Sequence, residues 1–330
     1  MMINTMKLSS ALPLRFLRRV SNVNPLIINY HMVSDQMLPY VWPVYHYRNT
    51  KVFRQDLDFL CRHYNPLGMK DLIGHITTGA PIPEHSFMIT FDDGFREVYD
   101  IAAGILSEKK IPATFFVTKN FIDNKELNYD NKKGLIVDKI QKNRNLRNAV
   151  QAALNLPENS EISKEVFNLP VSKRYVVDEL LDAVGVNISD ILRDVKPYMS
   201  SRQINKLVAE GFSIGGHSID HPNFAELSVS EQVKQTVESI DFVRENFGVD
   251  YKVFAFPYSD RTISLDYFRH IENVADLTFG THGLHEDIIK TNLQRISVEK
   301  LPYPGESTIK FFYFKKLIYT TAGKNKIKRR

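Results

Sequence analysis

Two adjacent carboxylates end an apolar, strand-like stretch, SFMITFDDGF at Ser86–Phe95. Side chains alternate between the two faces of a regular strand, so Asp92 and Asp93 can share a site only where the chain turns, which Gly94 allows. One carboxylate could then ligate a metal while the other handles a proton. The alternative is an Asp-Gly hairpin turn, but a helical pattern follows instead of a second strand.

A pair of histidines follows a second short strand-like stretch, in GFSIGGHSIDHPNF. His217 and His221 are four residues apart, and on a turn of helix both imidazoles can face one cation. Isolated pairs of this spacing are often coincidental. Together with a carboxylate from another strand end, however, they form a facial set of two His and one Asp, which leaves coordination positions open for water and substrate.

A third histidine ends the apolar stretch PLIINYHMVSD at Pro25–Asp35. The residues before Tyr30 and His31 are typical of a buried strand. His31 is therefore either a hydrogen-bonded structural residue or a catalytic group at the rim of a sheet. The local sequence leaves both interpretations open.

Short apolar stretches alternate with amphipathic helical patterns over most of the chain, which predicts a parallel sheet covered by helices, as a barrel or as an open sheet. The carboxyl ends of barrel strands meet on one face, so these candidate residues would converge there. The predicted strands are Leu26–Tyr30, Ser86–Phe91, Ala113–Val117, Ser213–Gly216, Lys252–Phe256, Ala275–Phe279 and Leu293–Val298. The predicted helices are Lys51–Tyr64, Met69–Thr77, Arg96–Lys109, Ser201–Gly211, Ser230–Phe247 and Ser264–Glu272.

The pattern changes in one internal region. From about residue 123 to residue 200 the strand signals disappear and the sequence becomes polar and helical, which is too long for a plain connection. We expect a helical insertion on the main domain. The predicted organisation is a basic N-terminal segment (1–24), a main domain (25–307) that contains the insertion, and a basic aromatic C-terminal tail (308–330).

The composition of the 330-residue chain is that of a globular protein, with 43% hydrophobic and 25% charged residues. The single cysteine, Cys61, excludes an intramolecular disulfide and a cysteine-based zinc cluster. The net charge of +5 is modest, and no basic-aromatic groove pattern favours nucleic-acid binding.

The sequences at the two ends of the chain indicate where in the cell the protein is located. No apolar run approaches the length needed to span a bilayer, and the N-terminus lacks a convincing signal-peptide pattern, so we expect a cytoplasmic protein. The stretch IKFFYFKKLIY at Ile309–Tyr319 precedes a basic end. It is either the last helix of the fold or a segment in peripheral contact with the inner membrane surface.

TFDDG at Thr90–Gly94 and HSIDH at His217–His221 together resemble the polysaccharide deacetylases, the NodB homology group of carbohydrate esterase family 4. INKLVAEGFSIGGHS and FAFPYSD, at Phe254–Asp260, add to the similarity. The resemblance implies a distorted (β/α) barrel of about seven strands and metal-dependent removal of acetyl groups from N-acetylated sugars. It implies that Asp92 is the general base and that Asp93, His217 and His221 hold one divalent metal. Zinc is the expected ion, and cobalt, nickel or manganese also suit such ligands.

The third family motif departs from its common form. Many members place an arginine before the proline of this motif, where it orients the base. Here no arginine follows until Arg261, so what orients Asp92 stays open. Pro257 and Tyr258 match a Pro-Tyr form whose loop lines the acetyl pocket.

The late family motifs, a tryptophan segment and a Leu-x-His, are not evident at the end of the chain. In the branch similar to poly-N-acetylglucosamine deacetylases these motifs are circularly permuted to the front. There a strand that ends in Tyr-His supplies the general acid. Tyr30 and His31 fit that arrangement, and Trp42 would be the displaced tryptophan that walls the acid.

The favoured function is a metal-dependent hydrolase that removes the N-acetyl group from an amino sugar in a polysaccharide, glycolipid or glycoconjugate precursor. Two alternatives stay open at this point. One is a degenerate member of the fold that binds a glycan or a partner without turnover. The other is a hydrolase of a different C–N bond or of an O-acetyl ester.

Overall fold

A computed structural model describes residues 2–299 and 303–329 of the chain. Most strands are short and buried, and together they build one sheet and a small accessory ribbon. The strands are β1 Leu26–Tyr30, β2 Asn65–Pro66, β3 Ser86–Phe91, β4 Ala113–Val117, β5 Ser213–Gly216, β6 Val253–Ala255, β7 Leu277–Gly280, β8 Glu286–Asp287, β9 Asn292–Gln294, β10 Ile296–Ser297 and β11 Lys326–Ile327.

Helices connect these strands and cover the sheet. They are α1 Met2–Ala11, α2 Leu14–Ser21, α3 Thr50–His63, α4 Met69–Thr78, α5 Gly104–Glu108, α6 Tyr129–Lys142, α7 Arg144–Ala153, α8 Ile162–Phe167, α9 Arg174–Ala183, α10 Ile188–Asp190, α11 Ser201–Ala209, α12 Val229–Phe247, α13 Leu265–Ile271 and α14 Gly305–Thr321. Single-turn π-helices at Val98–Ala103 and Ile191–Val195 and 3₁₀ turns at Ile122–Asn124, Val171–Lys173 and Phe224–Glu226 complete the described elements.

The main sheet is parallel and nearly closes on itself. Its strand order is β10-β1-β3-β4-β5-β6-β7-β9, and β2 pairs with the start of β3. The two strands at the ends of this order, β9 and β10, are separated only by Arg295. One extended segment therefore pairs with β7 through its first half and with β1 through its second. The predicted distorted barrel is confirmed.

The buried strands are continuous in apolar character because both of their faces are covered. β1, β3 and β4 bury every residue, and the aromatic rings of Tyr30, Phe91 and Phe115 stack in sequence inside the core. Helices supply the outer layer, as a parallel sheet requires. This packing fixes the strand register and hence the level at which each strand ends.

The helical insertion has a hydrophobic core of its own. Residues of α6, α7, α8 and α9 pack together with Tyr40, Val41, Phe95 and Tyr198 of the barrel side. The insertion is therefore attached to the carboxyl-end loops of the barrel, in particular to the loop between β1 and α3.

The C-terminal segment packs on the domain. Helix α14 contacts α1, α2 and α3 and buries Ile309, Phe311 and Tyr313. Strand β11 then pairs with β8. The aromatic stretch thus serves as the last helix of the fold, and membrane contact through its aromatic residues gains no support. Within the described ranges, no helix is both long and apolar enough to cross a membrane.

Candidate active site and metal centre

The strand register places His31 and Asp92 at the same height along the barrel. Tyr30 pairs with Phe91, and the backbone N–H of Asp92 donates to the carbonyl of Tyr30 at 3.0 Å. The residues that follow, His31 and Asp92, therefore leave the same edge of the barrel. Both line a pocket of about 200 Å³ at that edge.

Asp92 and Asp93 diverge at the turn that the sequence predicts. Asp93 and Gly94 both adopt left-handed backbone conformations, with φ of 72° and 77°. A Cβ at Gly94 would also lie 3.3 Å from Val117, so the position favours glycine on two grounds. As a result, one carboxylate faces a buried arginine and the other faces two imidazoles.

Asp93, His217 and His221 form the candidate metal centre. Oδ1 of Asp93 lies 3.3 Å from Nε2 of His217 and 3.2 Å from Nε2 of His221. One ligand atom from each of the three residues lies within 4.8 Å of the other two. Among the described residues no group donates a hydrogen bond to this buried oxygen. A buried carboxylate oxygen without a donor is costly, so the three residues fit a divalent cation.

The two histidines are held differently from the helical turn that their spacing suggests. His217 directly follows β5, and His221 follows in a loop in which both Ser218 and His221 have positive φ. The backbone N–H of His221 donates to Oγ of Ser218 at 2.9 Å, which stabilises the turn. Nδ1 of His217 lies 2.8 Å from the carbonyl oxygen of Ala255, so Nδ1 carries the proton and Nε2 keeps its lone pair for a cation.

One further contact orients Asp93. The hydroxyl of Tyr45 donates to its Oδ2 at 3.1 Å. Burial alone would raise the pKa of Asp93, but the neighbouring imidazoles of His221 and His217 outweigh it and hold the pKa well below the usual range. The carboxylate stays ionised, as a metal ligand must.

Arg295 holds Asp92. Its guanidinium donates to Oδ1 at 2.7 Å and to Oδ2 at 2.8 Å, and Nδ2 of Asn29 donates to Oδ2 at 3.0 Å. Burial raises the pKa of Asp92, yet the charge of Arg295 outweighs it and the pKa lies below the usual value. Arg261, the arginine nearest the third motif in sequence, is exposed. Arg295, which lies between β9 and β10, therefore orients Asp92 in this protein, where many family members use an arginine of the third motif.

Glu299 holds His31. Its carboxylate contacts Nδ1 of His31 at 2.9 Å and accepts hydrogen bonds from the backbone N–H groups of His31 and Met32. Burial would lower the pKa of His31, but the hydrogen bond and charge of Glu299 outweigh it, so the pKa is raised. A raised pKa keeps the imidazolium available as an acid near neutral pH.

Tyr258 lies beside the candidate metal centre, and Trp42 lies elsewhere. The ring of Tyr258 is 4.9 Å from that of His221, while Pro257 is buried next to it. Trp42 packs on His46 and Tyr47, and it is not among the described residues that line the pocket. The aromatic ring beside His31 is that of Tyr45, at 4.9 Å.

Sequence reasoning missed Arg295, Glu299 and Tyr45. Arg295 and Glu299 belong to the segment that closes the barrel, where a polar residue every few positions looks like ordinary strand-edge patterning. An arginine in the middle of the apolar stretch NLQRISV was the only available signal. Tyr45 lies in an aromatic-rich loop, in which no tyrosine stands out by spacing.

At the carboxyl edge of the parallel barrel, a His-His-Asp cluster that fits a divalent cation thus lies beside a second, arginine-bound carboxylate. The polysaccharide deacetylase family model matches residues 79–279. The chain therefore belongs to the polysaccharide deacetylase family.

Solved structures with the same fold agree with this assignment. The deacetylase PplD of Streptococcus pyogenes, in complex with acetate, is 13% identical with a TM-score of 0.57, covering 88% of this chain and 98% of that one. IcaB of Ammonifex degensii is 17% identical with a TM-score of 0.54, covering 88% and 97%. A de-N-acetylase of Aggregatibacter actinomycetemcomitans is 14% identical with a TM-score of 0.53, covering 87% and 99%. The fold shared with IcaB agrees with the resemblance to the permuted branch. No curated protein matches the chain.

Proposed function

We propose that this protein is a metal-dependent hydrolase that removes the N-acetyl group from an amino sugar in a polysaccharide, glycolipid or glycoconjugate precursor. The observation that supports it is the convergence of three sets of groups in one pocket. These are the imidazoles of His217 and His221 around Asp93, Asp92 with Arg295, and His31 with Glu299.

Asp93, His217 and His221 would hold the divalent metal, with zinc as the expected ion. When bound there, the cation would lower the pKa of a water molecule and polarise the acetyl carbonyl. Tyr45 fixes the orientation of Asp93 for this purpose. The ring of Tyr258 borders the space where the acetyl group would lie.

Asp92 and His31 would each carry out one of the two proton transfers of the reaction. Asp92, ionised by Arg295, accepts a proton from the water whose oxygen attacks the acetyl carbon. His31, protonated because of Glu299, donates a proton to the amide nitrogen as the C–N bond breaks. The products are acetate and a free amine. The pKa of Asp92 is lowered and that of His31 is raised, which is the separation that a base and an acid require.

The test is acetate release from a panel of N-acetylated amino sugars and their oligosaccharides. We expect release by the wild-type protein with divalent metal, loss after chelation and recovery when zinc is added back. We expect a decrease of about 10²–10⁴-fold in Asp92→Asn and in His31→Ala.

Two results would contradict the proposal. Unchanged activity in His31→Ala would remove His31 as the acid, and purified protein that binds no metal would favour a glycan-binding protein without turnover. Release from O-acetyl esters alone would redirect the proposal to an esterase. His75→Ala, in α4, is the control for a general effect of losing a histidine.

We also propose that the protein works in the cytoplasm, at an anionic membrane surface. Its positive charge is concentrated near the two ends of the chain. Residues 1–34 hold four Lys or Arg and residues 307–330 hold eight, and neither stretch contains Asp or Glu. Because the whole chain has 43 basic and 38 acidic residues, the part between carries 31 and 38 and is net acidic. Helices α1 and α2, from the first stretch, both pack against α14 from the second, so the two basic stretches lie together in the fold.

A further inference from the structure

The pocket is bordered by segments from four parts of the chain. The loop between β1 and α3 contributes Tyr45 and His46, and the start of the insertion contributes Asp130. The loop after β6 contributes Tyr258, and the closing segment contributes Glu299. The cavity of about 200 Å³ is smaller than the ~300–1,000 Å³ of sites that take drug-sized ligands. It therefore suits one sugar unit better than a run of several.

A hydrogen bond joins two of these walls next to the candidate metal centre. The hydroxyl of Tyr258 donates to Oδ2 of Asp130 at 2.6 Å, connecting the loop after β6 to α6. Tyr258 has a left-handed backbone conformation, with φ of 53°, which a tyrosine rarely adopts. Oγ1 of Thr281 donates to the carbonyl oxygen of Tyr258 at 2.8 Å and helps to hold it there.

Asp130 is itself fixed from behind. Nζ of Lys133 lies 2.7 Å from its Oδ1 and also donates to the carbonyl oxygen of Phe167 at 3.0 Å, so the pair is anchored in the insertion. The side chain of Lys133 is almost fully buried. The contact between Tyr258 and Asp130 is thus held firmly at both ends.

The insertion is also joined to the loop between β1 and α3. Nδ2 of Asn131 donates to the carbonyl oxygen of Tyr40 at 2.8 Å. A Cβ at Gly134 would lie 2.9 Å from the same oxygen, so only glycine allows α6 to approach this closely. Tyr40 and Val41 share the hydrophobic core of the insertion. The insertion therefore closes the pocket both toward this loop and toward Tyr258.

We propose that the site accepts a single N-acetylated sugar at the end of a glycan, and that Tyr258 and Asp130 determine this specificity by closing the side through which a continuous chain would pass. The inference rests on the proposed deacetylase function. An internal sugar carries a neighbour on both sides and needs a site open at two ends. A terminal sugar has only one neighbour, and the enclosed pocket can take it whole.

The experiment uses trisaccharides of glucosamine and of galactosamine that carry one acetyl group, on the non-reducing, central or reducing sugar. We expect the wild-type protein to release acetate from a terminal sugar at least tenfold faster than from the central one. Tyr258→Phe removes the hydrogen bond that joins the walls, and Asp130→Asn weakens it by replacing the charged acceptor with a neutral amide oxygen. Each should lower the terminal-to-central ratio of kcat/KM at least threefold.

Matched controls separate this effect from a general loss of structure. Tyr175→Phe changes an exposed tyrosine of the insertion, and Asp138→Asn changes an aspartate of α6 that pairs with Lys142. Both should keep the wild-type ratio. Release that is equal or faster from the central sugar of the wild-type protein would overturn the inference and leave the proposed function standing. Absence of acetate from every substrate, including the wider panel, would contradict the proposed function itself.

Discussion

Arg295 determines the state of the carboxylate that the proposed reaction uses as a base. Its side chain is fully buried, and besides Asp92 it donates to Asn29, Thr90 and the carbonyl oxygen of Gly280. The guanidinium thereby contacts β1, β7 and both β3 and the residue that follows it. The residue that orients the base therefore also binds together the strands on both sides of the barrel closure.

Replacing Arg295 by Met should destabilise the protein strongly. The change leaves the buried charge of Asp92 without its partner, which typically costs about 3–5 kcal/mol in the free energy of unfolding. The double variant Asp92→Asn/Arg295→Met should recover part of this loss because neither charge is then buried alone. Urea denaturation monitored by circular dichroism measures both effects.

Arg261→Met is the matched control, since Arg261 is exposed and lies nearest the third motif. We expect its free energy of unfolding to stay within about 0.5 kcal/mol of the wild-type value. Equal losses in Arg261→Met and Arg295→Met would contradict the role assigned to Arg295.

Local motifs at strand ends made Asp92, Asp93, His217 and His221 candidates from the sequence, and the structure brings all four into one pocket. Arg295 and Glu299 were out of reach because their partners are more than 200 residues away in the chain. Which polar residue of a closing strand meets which carboxylate depends on the register of the barrel, and the sequence pattern does not determine that register.

At the scale of elements, the apolar strands were the most predictable part of the fold. β1, β3, β4 and β5 have the predicted bounds, and in β1, β3 and β4 continuous burial gives a sharp apolar signal. The stretch predicted as one strand at Leu293–Val298 is instead β9 and β10, interrupted at Arg295. The interruption is where the segment changes partner from β7 to β1, a tertiary event without a local signal. Likewise, α12 is capped by Ser228, two residues before the predicted Ser230, because Ser228 and Glu231 form a capping box.

The last strand is held by a buried ion-pair cluster. Arg329 lies 2.7 Å from Oδ2 of Asp260 and also pairs with Asp287, and all three side chains are buried. It donates to the carbonyl oxygens of Asp260 and Ile263 as well. This cluster explains why the basic C-terminal stretch is part of the fold and not a solvated tail.

Arg329→Gln should lower the free energy of unfolding by about 3–5 kcal/mol at neutral pH, because Asp260 and Asp287 stay buried without their cation. Burial would raise the pKa of Asp260, but the hydrogen bond from Gln294 and the charge of Arg329 outweigh it and keep the pKa below the usual value. The stabilisation from a lowered carboxyl pKa is present above the unfolded value of about 3.9 and is lost as the pH falls through the folded one. The difference between wild type and variant should therefore shrink only below about pH 4.

Lys328→Gln is the control, because Lys328 is the exposed neighbour of Arg329. Denaturation curves between pH 3 and pH 7 should leave it within about 0.5 kcal/mol of the wild type. If the deficit of Arg329→Gln instead grew as the pH fell, the ionised state of Asp260 would not be the source of the stabilisation.

At the scale of the whole molecule, helix α2 has the surface that the proposed membrane contact would use. Phe16 and Val20 are 48% and 40% exposed and are one helical turn apart. Arg15 and Arg19, at the same spacing, are exposed beside them, and no acidic side chain within residues 2–299 and 303–329 pairs with either. Exposed apolar residues flanked by arginines suit the boundary between headgroups and acyl chains of an anionic bilayer. The adjoining side of the helix, at Leu17, is buried in the core.

The proposed membrane contact predicts charge-dependent binding to vesicles. The protein should sediment with vesicles of phosphatidylcholine and phosphatidylglycerol and not with phosphatidylcholine alone, and the bound fraction should fall as salt is added. A basic residue near an anionic surface contributes about 1 kcal/mol, so Arg15→Gln/Arg19→Gln should weaken binding about 30-fold. Phe16→Ala/Val20→Ala should weaken it by loss of apolar burial, and this part should resist salt.

Arg202→Gln/Lys206→Gln provides the matched control, since these two exposed basic residues have the same spacing on α11. Both double variants lower the net charge equally, so a general electrostatic attraction would weaken binding to the same extent in each. If the contact is localised on α2, the α11 variant should bind vesicles as strongly as the wild type. Equal losses, or equal sedimentation with neutral and anionic vesicles, would remove the membrane proposal. The deacetylase proposal would be unaffected, because the pocket uses no residue of α2.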